Sequence, residues 1–156
     1  MAYFVDSSPS AGLPGEVHTS KLNDLGSVRK YSDGSEYIYL AGVASLVDGD
    51  WVTYKPGTHI AVRIVAGAKG PVAIATGAVL AANWGWFMIV GTDTATCESS
   101  ILSNANLYVL SAGRADDAIV KNDQIKNART SAAGAAAGTA VVEINRPFLG
   151  SYDESA

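Results

Sequence analysis

The stretch from Val72 to Gly91, VAIATGAVLAANWGWFMIVG, restricts the possible folds more than any other part of the chain. It holds two apolar runs, first Val72, Ile74 and the alanines after them, then Gly85, Trp86, Phe87, Met88, Ile89 and Val90, closing at Gly91. Short runs of this kind, bounded by turn residues, fit strands buried on both faces. The two are expected to pair as the central hairpin about a tight polar turn, with each face covered inside a closed sheet or by a second copy of the chain. Trp84 and Trp86, two apart, project to one side of a strand. Such a pair either stacks on a sugar ring or nucleobase or packs in a core. Nothing in the stretch is reactive, and core or subunit packing is the expected role of Trp84, Trp86, Phe87 and Ile89.

The rest of the chain repeats the strand signal. Ser32-Asp33-Gly34 is a turn that releases Glu36-Tyr37-Ile38-Tyr39-Leu40-Ala41, aromatic and branched residues that suit a pleated surface. Asp48-Gly49-Asp50 leads into Trp51-Val52-Thr53-Tyr54, which Pro56-Gly57 stops. His59 to Val65 alternates, and the pattern predicts Ile60, Val62 and Ile64 on a buried face with His59 and Arg63 opposite. Residues 92–106 fit a loop, a short helix or a weak edge strand. Leu107 to Leu110 and Ala140 to Ile144 are strands, and Pro147 ends the second ladder. The charged segment from Arg114 to Arg129 has room for one more short strand. Thr130 to Gly138, nearly all Ala, Gly and Ser, is expected to be a loop. Roughly six to nine short strands with frequent turns and no amphipathic helix predict an all-β fold, a small β-barrel or β-sandwich.

Residues 1–27 differ in texture. Ser7, Ser8, Pro9, Ser10, Gly12, Pro14 and Gly15 interrupt apolar residues too scattered to make a periodic face. The segment is either a frayed terminus or an extended arm whose Tyr3, Phe4, Val5, Leu13, Val17, Leu22 and Leu25 are anchors that order on a partner. The expected organisation is an N-terminal arm over 1–27, a β-domain over 28–150 and a C-terminal tail over 151–156.

Composition narrows the function classes. With 156 residues the chain is one domain with a sizeable core. Eleven basic and fifteen acidic side chains give a net charge of −4 with no basic cluster, which argues against nucleic acid as a partner. The longest apolar run is broken by Gly77, Asn83 and Gly85, so a soluble chain with no membrane partner is expected. The single cysteine, Cys97, excludes an internal disulfide, and together with the lack of a signal-peptide pattern it fits folding in a reducing cytosol.

A catalytic role is not expected. The sequence has no Gly-x-Ser-x-Gly elbow, no His-Glu-x-x-His, no Cys-x-x-Cys and no phosphate-binding glycine loop. His18 and His59 are the only histidines, and His59 reads as an ordinary strand residue. Cys97 lies among Thr and Ser with no neighbouring cation, the setting of a passive thiol. Asp48 and Asp50 fit a turn better than a calcium loop, because the later bidentate Glu is missing. Asp116 and Asp117 fit a solvated face. No cofactor or metal is expected.

The run Asp33-Gly34-x-Glu36-Tyr37-Ile38-Tyr39-Leu40-Ala41-Gly42, the alternating small residues of Val72 to Ala82 leading into Gly85-Trp86-x-x-Ile89-x-Gly91, and the ending Ala140-Val141-Val142-x-Ile144-x-x-Pro147-Phe148 resemble small structural proteins of tailed bacteriophages, above all the capsid decoration, or cement, proteins. The resemblance spans residues 30 to 150 and is one of texture and spacing. It implies a β-domain, often trimeric, that sits on the outside of the virion shell after assembly in the host cytoplasm. Its partner would be the major capsid protein, bridged across neighbouring subunits by an extended terminus. A module of a virion fibre or tail tip that binds a host glycan through exposed Trp and Tyr is the alternative.

Overall fold

Alternating sequence punctuated by turn residues produces strands throughout. A computed structural model of the chain describes residues 11–135 and 137–150. These form β1 (Val17–His18), β2 (Val28–Lys30), β3 (Glu36–Ala41), β4 (Trp51–Tyr54), β5 (Ala61–Arg63), β6 (Gly70–Ala75), β7 (Trp84–Thr96), β8 (Asn106–Ser111), β9 (Arg114–Asp116), β10 (Gln124–Thr130) and β11 (Thr139–Leu149), with no helix among the described residues. All belong to one antiparallel sheet whose main path runs β2-β3-β7-β6-β11-β10-β8-β9. β1 is added on β7, and β4 branches from β6 to carry β5. The all-β class is as the sequence predicts. The barrel form is not adopted, because β2 and β9 end the path unjoined and the sheet stays open.

β7 organises the sheet. One edge pairs with β3 from Trp84 to Val90. The other edge pairs in succession with β1 at Trp84 and Gly85, β6 at Phe87 and Met88, and β11 from Val90 to Thr96. The strand expected to close at Gly91 therefore continues to Thr96, and its far half absorbs the start of the undecided segment 92–106. Gly91 sits where the partners change. Its φ is 137°, and an added Cβ would lie 3.2 Å from Ser35 Cβ and 3.3 Å from Met88 Sδ, so glycine answers both the backbone geometry and the close approach.

The expected hairpin exists, but its link is not a tight turn. β6 and β7 pair at Ile74–Met88 and Ala75–Phe87, and residues 76–83 loop across the end of β3. Gly42 permits that crossing, since a Cβ there would stand 2.0 Å from the Val79 carbonyl oxygen. The charged segment after Arg114 holds two strands, β9 and β10, and the Ala/Gly segment is a loop among its described residues.

Both faces of β6 are buried, as its composition predicts, and this chain alone covers them. Val72 and Ile74 join Trp51, Ile64, Met88, Leu107, Ile125, Val142 and Ile144 in one cluster. Ala73 and Ala75 join Ile38, Leu40, Leu46, Val52, Phe87 and Ile89 in a second. β4 divides in the same way, Trp51 to the first and Val52 to the second. Each fully buried large side chain of this kind contributes about 1.5–3 kcal/mol.

Of the three residues predicted to share a buried face around β5, Ile64 is buried and the other two are not. Ala61 and Ile64 are buried, while Ile60 and Val62 are 49% and 52% exposed. β5 pairs in the sheet only with β4, so the core runs out beneath it. Arg63 is turned back to Asp50 by an ion pair of 2.7 Å.

Candidate interaction site

The described part of the N-terminal segment, 11–27, is fastened along β3 and β7. Ala11 is buried against Tyr39 and Trp86. Its carbonyl accepts hydrogen bonds from Trp86 Nε1 at 3.0 Å and Asn23 Nδ2 at 2.9 Å. Gly15 N–H donates to Thr76 Oγ1, whose hydroxyl donates to the Trp86 carbonyl at 2.6 Å. Val17 and His18 then pair with Gly85 and Trp84. From β2, Arg29 lays its guanidinium 5.2 Å from the centre of the Trp86 ring, a cation–π contact on a largely desolvated face.

His18 is the inward peg of this clasp. Its ring stacks on Tyr39, and Nδ1 lies 2.9 Å from Tyr39 Oη. Tyr39 Oη accepts from Leu22 N–H at 3.2 Å and from the Asn23 side chain. Burial holds the Tyr39 hydroxyl above the ordinary tyrosine range against those two hydrogen bonds. His18 Nε2 is buried without a hydrogen-bond partner, and the nearest carboxylate oxygen, Glu16 Oε2, stands 3.6 Å away.

Of the arm residues expected to be anchors, Tyr3, Phe4 and Val5 lie outside the described residues. Leu13, Val17 and Leu22 point outward, 52%, 40% and 44% exposed. Leu25 instead packs half-buried against the Tyr39–Trp86 cluster. Among the packing residues, Trp86, Phe87 and Ile89 are buried and Trp84 is half-buried. With Trp86 enclosed, the two tryptophans do not make an open stacking platform. Ala11, His18, Asn23 and Arg29, which do the fastening, were not singled out from sequence. The alternation of outward Val17 with inward His18 was the available signal.

Other residues weighed for chemistry have structural surroundings. Cys97 is fully buried, and burial pushes its thiol up to about 11, so little thiolate exists near neutral pH. Asp50 is buried and accepts from Arg63 Nε at 2.7 Å and Val47 N–H at 3.2 Å. Asp117 Oδ2 accepts from Leu102 N–H at 2.8 Å, so this carboxylate orders a loop. His59 has a φ of 50° and stacks on Tyr54 just ahead of β5. No group of three or more His, Cys, Asp or Glu among the described residues is placed to hold a metal ion. The chain matches no protein-family model and no curated protein.

Proposed function

We propose that this chain is a virion structural protein of the capsid decoration type. It binds the outside of the major capsid protein shell as a trimer and stabilises the shell by bridging neighbouring subunits with its N-terminal segment. The observation that supports this reading is the fastening of residues 11–27. Leu13, Val17 and Leu22 are presented outward on a segment tied by Trp86, Tyr39 and Thr76 to a strand buried on both faces. Load placed on those side chains passes directly into the core of the domain. Such a protein stabilises an assembled lattice by its higher affinity for the lattice than for free subunits. A trimer adds avidity, because one bound arm raises the effective concentration of the others.

The test is co-sedimentation with expanded shells of the cognate capsid protein. The variants are a chain lacking residues 1–10, which keeps the clasp, and the full chain with Leu13, Val17 and Leu22 replaced by Ser. Three anchors worth about 1.5–3 kcal/mol each predict at least about a thousandfold weaker binding for the triple variant. Unchanged shell occupancy in both variants, with the fold intact, would refute the arm as the contact.

A further inference from the structure

β10 parts from both of its neighbours at one point. On one side Ile125 pairs with Leu107 and Arg129 with the adjacent Asn106, so residues 126–128 have no partner on β8. On the other side Lys126 pairs with Phe148 and Ala128 with Ile144, so Asn127 faces a break in the ladder at residues 145–147 of β11. Asn127 has a φ of 59°, and Arg146 within that break has one of 48°. Asparagine tolerates the left-handed region better than most residues, whereas arginine seldom adopts it. Irregular pairing of this kind is over-represented next to functional sites, where it re-aims a side chain.

The break opens a cleft of about 430 Å³, within the size range of small-ligand sites. Four carboxamides line it, Asn106 from β8, Gln124 and Asn127 from β10 and Asn145 from β11. None of the four side chains has a hydrogen-bond partner among the described residues. Each carries two N–H donors and an acceptor oxygen. The charge in the cleft is compensated from within. Arg129 donates from Nε and Nη2 to Glu143 Oε2 at 2.9 and 2.8 Å, and from Nη1 to Asn104 Oδ1 at 3.2 Å. The other walls are the Ala128 methyl and Ile144, which is 4% exposed.

These walls discriminate between ligand classes. A hydrophobic ligand would bury little apolar area against them. A charged ligand meets an ion pair already closed on itself. A nucleobase needs an aromatic face to stack on, and no ring lines the cleft among the described residues. A peptide strand adds to an open sheet edge, but β8, β10 and β11 are all interior strands of the sheet path. A hydroxyl is donor and acceptor at once, as a carboxamide is, so a neutral ring bearing adjacent hydroxyls matches the cleft group for group.

We propose that this cleft binds a neutral saccharide, with the carboxamides of Asn106, Gln124, Asn127 and Asn145 as its hydrogen-bonding groups. The irregular pairing at Asn127 brings the fourth amide into the cleft. The site lies on strands that the N-terminal clasp does not use, and it holds whether or not the capsid reading does.

The probes are three neutral disaccharides, maltose, lactose and N,N′-diacetylchitobiose, titrated into the full chain while the side-chain NH2 signals of the four residues are followed by NMR. At least one is expected to shift those signals saturably at about 1–10 mM, the strength of a few hydrogen bonds. Asn127→Gly, which suits the left-handed backbone, and Gln124→Ala should each weaken that binding about threefold to tenfold with the Trp51 indole signal unmoved. Glucuronate and N-acetylalanine methylamide should bind more weakly than the best disaccharide. Tighter binding of either assigns the cleft to an anion or to a peptide and overturns the proposal. So does the absence of a saturable shift with all three disaccharides up to about 50 mM, or binding that both variants leave unchanged.

Discussion

Replacing Asp50 by Ala is the sharpest test of how this fold is held together. Asp50 is 1% exposed, and its Oδ2 accepts from Arg63 Nε at 2.7 Å and from Val47 N–H at 3.2 Å. Thr96 Oγ1 lies 3.2 Å from Oδ1 but 2.6 Å from the Gly113 carbonyl, so its one proton goes to Gly113. The substitution thus removes two hydrogen bonds to the carboxylate, one of them within an ion pair, and leaves the Arg63 guanidinium without its partner. Breaking a buried pair from one side costs about 3–5 kcal/mol. The Arg63 side chain is 26% exposed and recovers some hydration, which places the expected loss near the lower end, about 3 kcal/mol. That is a large share of the stability of a single domain, about 5–15 kcal/mol. Urea unfolding followed by tryptophan fluorescence measures it, since Trp51 is the next residue. The paired variant Asp50→Ala with Arg63→Met should be less destabilised than the sum of its single changes by about 2 kcal/mol, because no unpartnered charge remains. A loss below about 1 kcal/mol for Asp50→Ala, or strict additivity in the double variant, would show that this ion pair does not hold the start of β4 to β5.

Trp86→Phe keeps an aromatic ring in the core but deletes the N–H that the Ala11 carbonyl accepts. It should raise proteolysis within residues 11–27 with a loss of only about 1–3 kcal/mol in global stability, and equal cleavage rates in the two proteins would refute the pinning role. Alkaline pH gives a separate check. Burial raises the hydroxyls of Tyr31, Tyr37, Tyr39 and Tyr54 above the ordinary value. For an acid whose folded pKa is raised, the stabilisation is complete below the unfolded pKa, about 10 for tyrosine, and is lost as pH rises through the folded values. Melting temperature should therefore fall above about pH 10, and less steeply in Tyr54→Phe; a flat profile through that window would contradict the burial of these phenols.

β3 and β4 were legible in the sequence to the residue, because a turn before each strand and a pattern of branched and aromatic residues within it are local facts. Both-faced burial of β6 was legible for the same reason. What failed depends on distant pairing. The buried face near β5 was legible only in part: alternation put Ile60, Val62 and Ile64 on one side, but the core reaches Ile64 and leaves Ile60 and Val62 exposed. Gly91 looked like a strand end, but β7 survives it because β11 arrives to take up its edge. The partnership of Asp50 with Arg63 and the clasp about His18 and Asn23 join residues 12 to 21 positions apart, and no local pattern announces them. Pro147 was expected to end the last ladder, but β11 runs on through it to Leu149 because β6 and β10 take up Phe148 and Leu149 beyond it.

The single edge of β7 that holds β1, β6 and β11 in turn also fixes how force would enter this domain. The clasp meets it at Trp84 and Gly85. β1 has only two residues paired with β7, and a ladder that short peels readily when its end is pulled. The Ala11 carbonyl on Trp86 Nε1, the Gly15 amide on Thr76 and the Leu22 amide on Tyr39 lie along the segment on either side of β1. Tension on the N-terminal side reaches the Ala11 contacts before it reaches the β1 ladder. Those contacts end on Trp86 and on Asn23, and Trp86 belongs to a strand whose next residues are packed into both large clusters. The strength of the attachment therefore resides in side-chain pins set into the core, and residues 11–27 and β7 act as one body under load.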